Sequence, residues 1–447
     1  MKNRDRGGAN THVSCLPPTL NSPGYEHSEK LPRAASSHGR PLRILVVGAA
    51  VAGISVARGL LRDGHDVAVF DQRTDVRAGG GAVTIWSNGE TVLRQLGVDM
   101  DGAGQQLSSV RVMTSSGRRL AAVDVTTMEN RFGAPVRMVP RRVLLERLLD
   151  GFPKDRIRCN ARAVGVTTWR NGVRVEFEDG SWAEGDLLIG ADGLHSIVRD
   201  VVGAPDAEPT GWCSWQGLAE FPEVSDRETG LIVIGEHGNF GMWPAGGSDL
   251  QWWFDLPWSY DFVRPRRPIE VIRSHFGGWT DSVDLLLAKL TDDDLASSPF
   301  PHFRHPISWP GHGALTLLGD AAHTMPPTLA QGTNQALLDT MVLCKALSDL
   351  QSGMTSRSGD VANALRWYEK TRRRKVAAVS RVASLQVAHG ESILRPAAWI
   401  SDRFHTWALS TFLGSTSHRR LSARINRDLG AAMTVPACPS EPCPSQQ

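Results

Sequence analysis

The chain has 447 residues, 41% of them hydrophobic and 21% charged, with a net charge of +2, enough for two or three domains around a sizeable core. That balance gives no case for nucleic acid or an anionic membrane as partner, and no run approaches the ~18 apolar residues of a membrane span. The six cysteines, Cys15, Cys159, Cys213, Cys344, Cys438 and Cys443, have neither zinc nor redox spacing, so no metal site is expected, and reduced thiols fit a cytoplasmic location.

Residues 1–40 are rich in Gly, Pro, Ser and Asn and read as a disordered leader, with a misassigned start site as the alternative; they hold no apolar signal core. Organised sequence begins at Leu42. Arg43–Val47 reads as a buried strand, followed by Gly48-Ala-Ala-Val-Ala-Gly53, a helix to about Arg62 and a second strand, Val67–Phe70, ending in Asp71. This is the context of a dinucleotide-binding turn: glycines at the turn, a helix N-terminus for a pyrophosphate, and an acid 23 residues after the first Gly for a ribose hydroxyl. Ala50 stands where the second glycine of that pattern is usual, adding one methyl where backbone approaches phosphate.

Further on, Arg141 precedes a run of helical leucines. Asp186–Gly190 reads as a strand that turns through Asp192-Gly193 into a helix carrying His195, Ser196 and Arg199. Asp192 would cap that helix or hold a hydroxyl, and Arg199 would answer a phosphate or a carboxylate. Between about 205 and 308, short Trp-, Phe- and Val-rich runs alternate with turns, notably Trp212–Leu218, Gly230–Ile234, Asn239–Trp243 and Gln251–Leu256, with turn material at Pro244–Ser248. That is an antiparallel sheet inserted between stretches of strand–helix alternation.

A third motif spans 317–339. Ala314–Leu318 reads as a buried strand that breaks at Gly319-Asp320, crosses a Pro-containing turn and enters a helix near Gly332. Asp320 would accept from sugar hydroxyls, and amides around Gln331–Asn334 would face an electron-rich group. His323 reads as structural, with proton shuttling as the alternative. Helical periodicity marks 366–388 and continues weakly to about Leu429; its basic run Arg372–Lys375 reads as a solvated face, and 431–447 as a disordered tail.

In combination, the turn at 48–53 with Asp71, the Asp-Gly motif at 192–199, the Gly-Asp motif at 319–332 and Arg141 resemble the single-component FAD-dependent aromatic hydroxylases typified by para-hydroxybenzoate hydroxylase, over about residues 42–375. The resemblance implies an α/β fold: a Rossmann-like FAD-binding domain in two parts (41–204 and 309–362), an inserted antiparallel β-sheet substrate domain (205–308) and C-terminal helices (363–430). It implies FAD as cofactor and NADH or NADPH as transient reductant. Gly48, Ala50 and Gly53 would approach the pyrophosphate, Asp71 the adenosine ribose, Arg141 the phosphate and ribityl region, and Asp320 the ribityl chain. Asp192 would serve FAD and nicotinamide use, while Pro326 and the backbone of Ala330–Asn334, with Gly332, would lie along the isoalloxazine. Relatives usually have Gly-Gln-Gly where this chain has Ala330-Gln331-Gly332.

The implied reaction is oxygenation of an aromatic or polycyclic molecule by O2 through a C4a-hydroperoxyflavin; no catalytic base is identified. Pocket candidates are Trp215 and Gln216 on one strand, Met242 and Trp243 on a second, and Trp253 on a third. Alternate residues share a face, so only about half can line the cavity. A neutral Gln216, where relatives often carry Arg, argues against a small carboxylated substrate. Epoxidation of an isolated double bond and a flavin-binding module without turnover remain as alternatives. The Trp-x-Trp-x-Ile-Pro stretch of flavin halogenases is absent.

Overall fold

The computed structural model describes residues 41–417 apart from 78, 171, 225, 308–312, 352–356 and 395–398; for 349, 351, 357–360 and 386–394 only the backbone is described. The expected leader and tail, and the helical stretch beyond 417, lie outside the described residues. The chain opens β1 (Arg43–Val47), α1 (Val51–Arg62), β2 (Asp66–Phe70), as the apolar-run, glycine-turn, apolar-run order requires. Next come β3 (Ala82–Ile85), α2 (Ser87–Gln95), β4 (Gln105–Leu107), β5 (Ser109–Thr114), β6 (Arg119–Asp124), α3 (Val125–Phe132), β7 (Val136–Pro140) and α4 (Arg141–Leu149). β8 (Ile157–Arg158), β9 (Ala163–Trp169), β10 (Gly172–Phe177), β11 (Trp182–Gly185), β12 (Leu187–Gly190) and α5 (Ile197–Val201) complete this part.

The middle of the chain forms β13 (Glu208–Glu220), β14 (Thr229–Ile234), β15 (Asn239–Gly246), β16 (Asp249–Pro257), α6 (Pro268–Phe276), α7 (Asp281–Lys289) and β17 (Phe300–Arg304). β18 (Leu315–Leu317), α8 (Asp320–His323), α9 (Gly332–Gln351), α10 (Arg357–Leu394) and α11 (Asp402–Thr416) follow. Four strands of the first sheet, β18-β12-β1-β2, run parallel with β8 at the edge. Their alternate side chains fill two cores, one beneath α1, α9 and α10, the other against the β9–β11 hairpins and α5, as strands buried on both faces require.

The large sheet has seven strands in the order β17-β13-β16-β15-β14-β5-β6. It therefore reaches outside 205–308 and takes β5 and β6 from the first part of the chain, with β5 pairing parallel to β14. Pro244 lies inside β15, beside the register shift at Pro244/Gly246, and not in the turn; a bulge tolerates the missing donor. One face of this sheet packs under α6 and α7, two helices the alternating pattern of the segment did not suggest.

The basic run 372–375 is not a uniformly solvated face. Arg373 and Arg374 are exposed, but Arg372 is fully buried. Its Nε donates to Asp339 at 2.5 Å and its Nη2 to the carbonyl and side chain of Gln335 at 3.1 and 2.7 Å.

Candidate active site

The turn between β1 and α1 shows why its glycines are needed. Gly48 has φ +100°, and a Cβ there would lie 2.2 Å from the Ala191 carbonyl oxygen; at Gly53 it would lie 1.8 Å from that of Gly48. Strand and helix meet too closely for any side chain. Ala50, the residue before α1, is exposed, so its methyl is accommodated. No side chain caps α1 and no acid sits in its first turn, which leaves its amides and the positive end of its dipole for an anion.

Asp71 is less open than its position suggested. Its Oδ2 accepts from Ala49 N at 2.7 Å and Arg73 Nη2 at 2.9 Å, its Oδ1 from Arg73 N and Nε at 2.8 and 2.9 Å. All four acceptor positions are taken by the protein. Burial opposes its ionisation, yet Arg73 and the two amides outweigh that and hold its pKa below the usual carboxylate value. The carboxylate braces the glycine turn, and a ribose hydroxyl reaches it only by displacing the partly exposed Arg73 fork.

Arg141 heads α4 with an exposed side chain, its Cδ 3.5 Å from the Cβ position of Gly79. Asp192 does not cap a helix: α5 starts at Ile197, and Ser196 caps it through Arg199 N. Asp192 accepts from Ile197 N at 3.0 Å, while its Oδ1 is buried with no hydrogen-bond partner among the described residues. Burial pushes its pKa up. Such an orphaned acceptor calls for a donor from outside the chain. Arg199 is likewise not an anion receptor; it is buried and donates to the carbonyls of Pro205, Ala321, Ala322 and Pro306 at 2.7–3.4 Å.

At the third motif, Asp320 is exposed at the start of α8, with its Oδ1 4.0 Å from the Cβ position of Gly332. The first helical hydrogen bond of α9 runs from Gln335 N to Gln331 O at 2.8 Å, leaving the amides of Gly332, Thr333 and Asn334 ahead of it. The Asn334 side chain is fully used. It accepts from Trp86 N and donates to Thr84 O and Ala330 O, each at 2.9 Å, so it ties α9 to the start of α2. His323 is structural, buried and 2.6 Å from Asp339, which also accepts from Gly319 N at 3.0 Å. Pro326 is buried.

Ala330 explains the usual glycine at its position: it has φ 48° and ψ 37°, the left-handed region. An alanine there is strained by about 1–2 kcal/mol, partly offset in a glycine variant by the greater freedom of the unfolded chain. Ala330→Gly should therefore raise stability to urea unfolding by roughly 0.5–1 kcal/mol. A destabilised variant would remove strain as the reason.

The five pocket candidates divide by sheet face. Trp215 and Met242 lie with Phe240, Trp252 and Phe254 in the core beneath α6 and α7. Gln216, Trp253 and Trp243 share the opposite face, in the register Gln216↔Trp253 and Gly241↔Trp253. Trp243 is buried against Trp86 and Trp253, at ring distances of 6.4 and 6.1 Å, whereas Trp253 is half-buried and Gln216 exposed. On the same face Gln251 accepts from Ala82 N at 2.5 Å. Gln251 and Trp86 thus join the sheet to the Gly79–Ala82 loop and, through Asn334, to α9. Neither stood out in the sequence, because each looks like core filling until the two sheets are docked.

An uncapped helix N-terminus at a glycine turn, the exposed Arg141, whose side chain has no hydrogen-bond partner among the described residues, and an exposed carboxylate beside a second helix N-terminus suit a cofactor bearing a diphosphate and a polyhydroxyl chain. The fold and these sites define a dinucleotide-binding α/β flavoprotein. The sequence matches the family described as FAD binding domain over residues 42–383, and the chain belongs to that family, among the flavoprotein monooxygenases like para-hydroxybenzoate hydroxylase. It is 29% identical over 371 residues to the FAD-dependent urate hydroxylase of Klebsiella oxytoca, covering 81% of this chain and 94% of that protein. It is 31% identical over 409 residues to the chloroplastic zeaxanthin epoxidase of Prunus armeniaca, covering 86% of this chain and 60% of that protein. The solved structure of Klebsiella pneumoniae HpxO complexed with FAD and uric acid superposes with a TM-score of 0.75 at 26% identity, covering 84% of this chain and 97% of that one. The chain is an FAD-dependent monooxygenase. No described helix is long and apolar enough to cross a membrane.

Proposed function

We propose that this enzyme hydroxylates an aromatic or polycyclic small molecule in the cytoplasm, with NADH or NADPH as reductant and O2 as oxidant. The observation that carries the reading is the position of Trp253 and Gln216, accessible on the sheet face that docks onto the Gly79–Ala82 loop and, through Trp86, onto α9. Bound FAD supplies hydride acceptance and oxygen activation. The protein's tasks are positional. The α1 amides with Gly48 and Gly53 hold the diphosphate, Arg141 adds a cation to it, and Asp192 takes a donor from the cofactor. Asp320 accepts from the ribityl hydroxyls, and the first-turn amides of α9, with Pro326 and Gly332, line the ring. Trp253 gives a flat apolar wall that orients an aromatic face and keeps water away, while Gln216 offers a neutral polar contact. The aromatic substrate of the urate hydroxylase relative supports the same class.

The test is NADH and NADPH oxidation by the flavin-loaded protein across a panel of phenols, hydroxylated heteroaromatics and polycyclic aromatics, with mass analysis of each product. Substrate-dependent oxidation with gain of one oxygen on a ring is expected; no stimulation by any aromatic would overturn the reading, and oxygen gained at an isolated double bond would replace it with epoxidation. A second prediction concerns the cofactor. Asp320→Ala should weaken FAD binding roughly 10- to 100-fold, the worth of hydrogen bonds to a charged acceptor, and so purify largely without flavin. A fully flavinated variant would remove Asp320 from the site.

A further inference from the structure

The face of the large sheet that carries Gln216 and Trp253 continues into a row of buried polar side chains. Further along the strands, Ser214 on β13 pairs in register with Asp255 on β16, and Asp255 with Asn239 on β15. Phe300 of β17 pairs with Ser214, so His302, the next residue of the same phase, falls on this face as well. Ser214, Asp255 and His302 are all buried. The Ser214 hydroxyl lies 2.5 Å from Asp255 Oδ1 and 2.6 Å from His302 Nε2, whereas His302 and Asp255 stand 3.9 Å apart. Serine is the link between carboxylate and imidazole.

A hydroxyl has one proton to give. Donated to the ionised Asp255, it leaves the Ser214 oxygen to accept from His302 Nε2–H, and the other ring nitrogen, Nδ1, is then a bare acceptor. That Nδ1 is buried with no hydrogen-bond partner among the described residues. Polar groups inside a packed sheet cost free energy unless paired, so a chain of three that ends on an open acceptor calls for a donor from outside the protein. The strand holding His302 runs on to His305, whose N donates to Thr324 O at 2.9 Å and whose Nδ1 accepts from Thr324 N at 3.1 Å. The polar chain is therefore joined to the Trp253–Gln216 row on one side and to the loop that begins at Asp320 on the other.

We propose that His302 is the base that takes the proton from a ring hydroxyl of the substrate, with Ser214 and Asp255 as the relay that receives it. The inference rests on the hydroxylase reading. The substrate O–H bond breaks as Nδ1–H forms, Nε2–H passes its proton to the Ser214 oxygen, and Ser214 passes its own to Asp255 Oδ1. The electron pair stays on the substrate oxygen and makes the ring a better nucleophile; the reverse sequence returns the proton to the product. The groups acting on Asp255 are the Ser214 hydroxyl, the Asn239 amide and the facing His302 ring. Cys213, next to Ser214, remains a thiol, pushed up to about 12 by burial and by Asp255. Burial pushes the Asp255 carboxyl up to about 7 and the His302 imidazole down to about 4. At neutral pH the imidazole is uncharged and the carboxyl sits near its midpoint, where it both takes up and releases a proton.

Turnover of the most active phenol of the panel by the flavin-loaded full chain should rise with pH through about 7, because only the ionised Asp255 can receive the proton. Asp255→Asn and Ser214→Ala should each lower kcat about 100-fold and abolish that inflection, with KM and flavin content unchanged. Ser214→Thr, which keeps the hydroxyl, should restore both. Binding supplies a readout without turnover: para-nitrophenol should be held as the yellow phenolate by the wild-type protein in mild acid and as the phenol by Asp255→Asn. An unchanged pH profile in Ser214→Ala would overturn the proposal, as would para-nitrophenol left unbound or bound as the phenol by the wild-type protein. Lost stability with kcat and pH profile intact would assign the cluster to the fold alone. If no aromatic is turned over, the hydroxylase reading fails, and the para-nitrophenol spectrum still decides the relay.

Discussion

Replacing Arg372 with leucine is expected to destabilise the fold by about 3–5 kcal/mol at neutral pH, because it strands a buried carboxylate. Asp339 is fully buried and has three partners: Gly319 N, His323 Nε2 and Arg372 Nε. Burial alone would raise its pKa; His323 and Arg372 together outweigh that and hold it below the ordinary carboxylate value. A folded-state pKa that is lowered contributes stability above the unfolded pKa and loses it as pH falls through the folded one. Without Arg372 the burial term is less opposed and the folded pKa moves up, so the penalty should be largest at neutral pH and shrink in mild acid. Replacing Asp339 and Arg372 together by leucines should recover part of the loss, since the pair is then absent and not broken. Urea unfolding at neutral and mildly acidic pH checks both statements. A loss below about 1 kcal/mol, the scale of a surface ion pair, would show that the contact is not a buried one. Asp339 also fixes the amide of Gly319, the residue before Asp320, so flavin content should fall with stability.

Two tryptophans on the sheet are expected to respond oppositely to truncation. Trp215→Ala should cost about 3–5 kcal/mol of stability, the range for emptying a large aromatic from a packed core, and leave substrate affinity almost unchanged in the protein that folds. Trp253→Ala should lose less stability, because the ring is half-buried, but weaken binding of an aromatic substrate about tenfold, the value of a stacked ring removed. The two residues differ only in which side of the sheet they occupy: Trp215 pairs in register with Phe254 under α6 and α7, Trp253 with Gln216 on the other face. Equal effects of the two truncations on substrate affinity would contradict this division.

The contrast also shows where sequence reading stopped. The alternating runs of β13, β15 and β16 were legible because a strand writes a period of two into its residues. Which phase of that period is buried under helices was not legible. It depends on α6 and α7, which bury one face in a segment whose turns and tryptophans spoke only of strands. Arg372 failed for a related reason. A basic run on a helix looks solvated unless its partner is known, and Asp339 lies 33 residues earlier on another helix. Asp71 was correctly placed at the end of β2, but not its engagement by Arg73, two residues on.

Sequence alone determined the α/β frame and a cradle for a nucleotide or flavin, and its resemblance to the aromatic hydroxylases supplied FAD and the reaction class. The frame and the cradle rest on local requirements: glycines where no Cβ fits, a carboxylate after a strand, amides at helix starts, all within short spans of chain. Tertiary structure alone decided which aromatics lie on which face of the large sheet and which charges are buried. It also decided that two early strands join the large sheet. Those outcomes depend on contacts between residues far apart in the chain, where a side chain's role is set by what packs against it. Local periodicity carries no record of that.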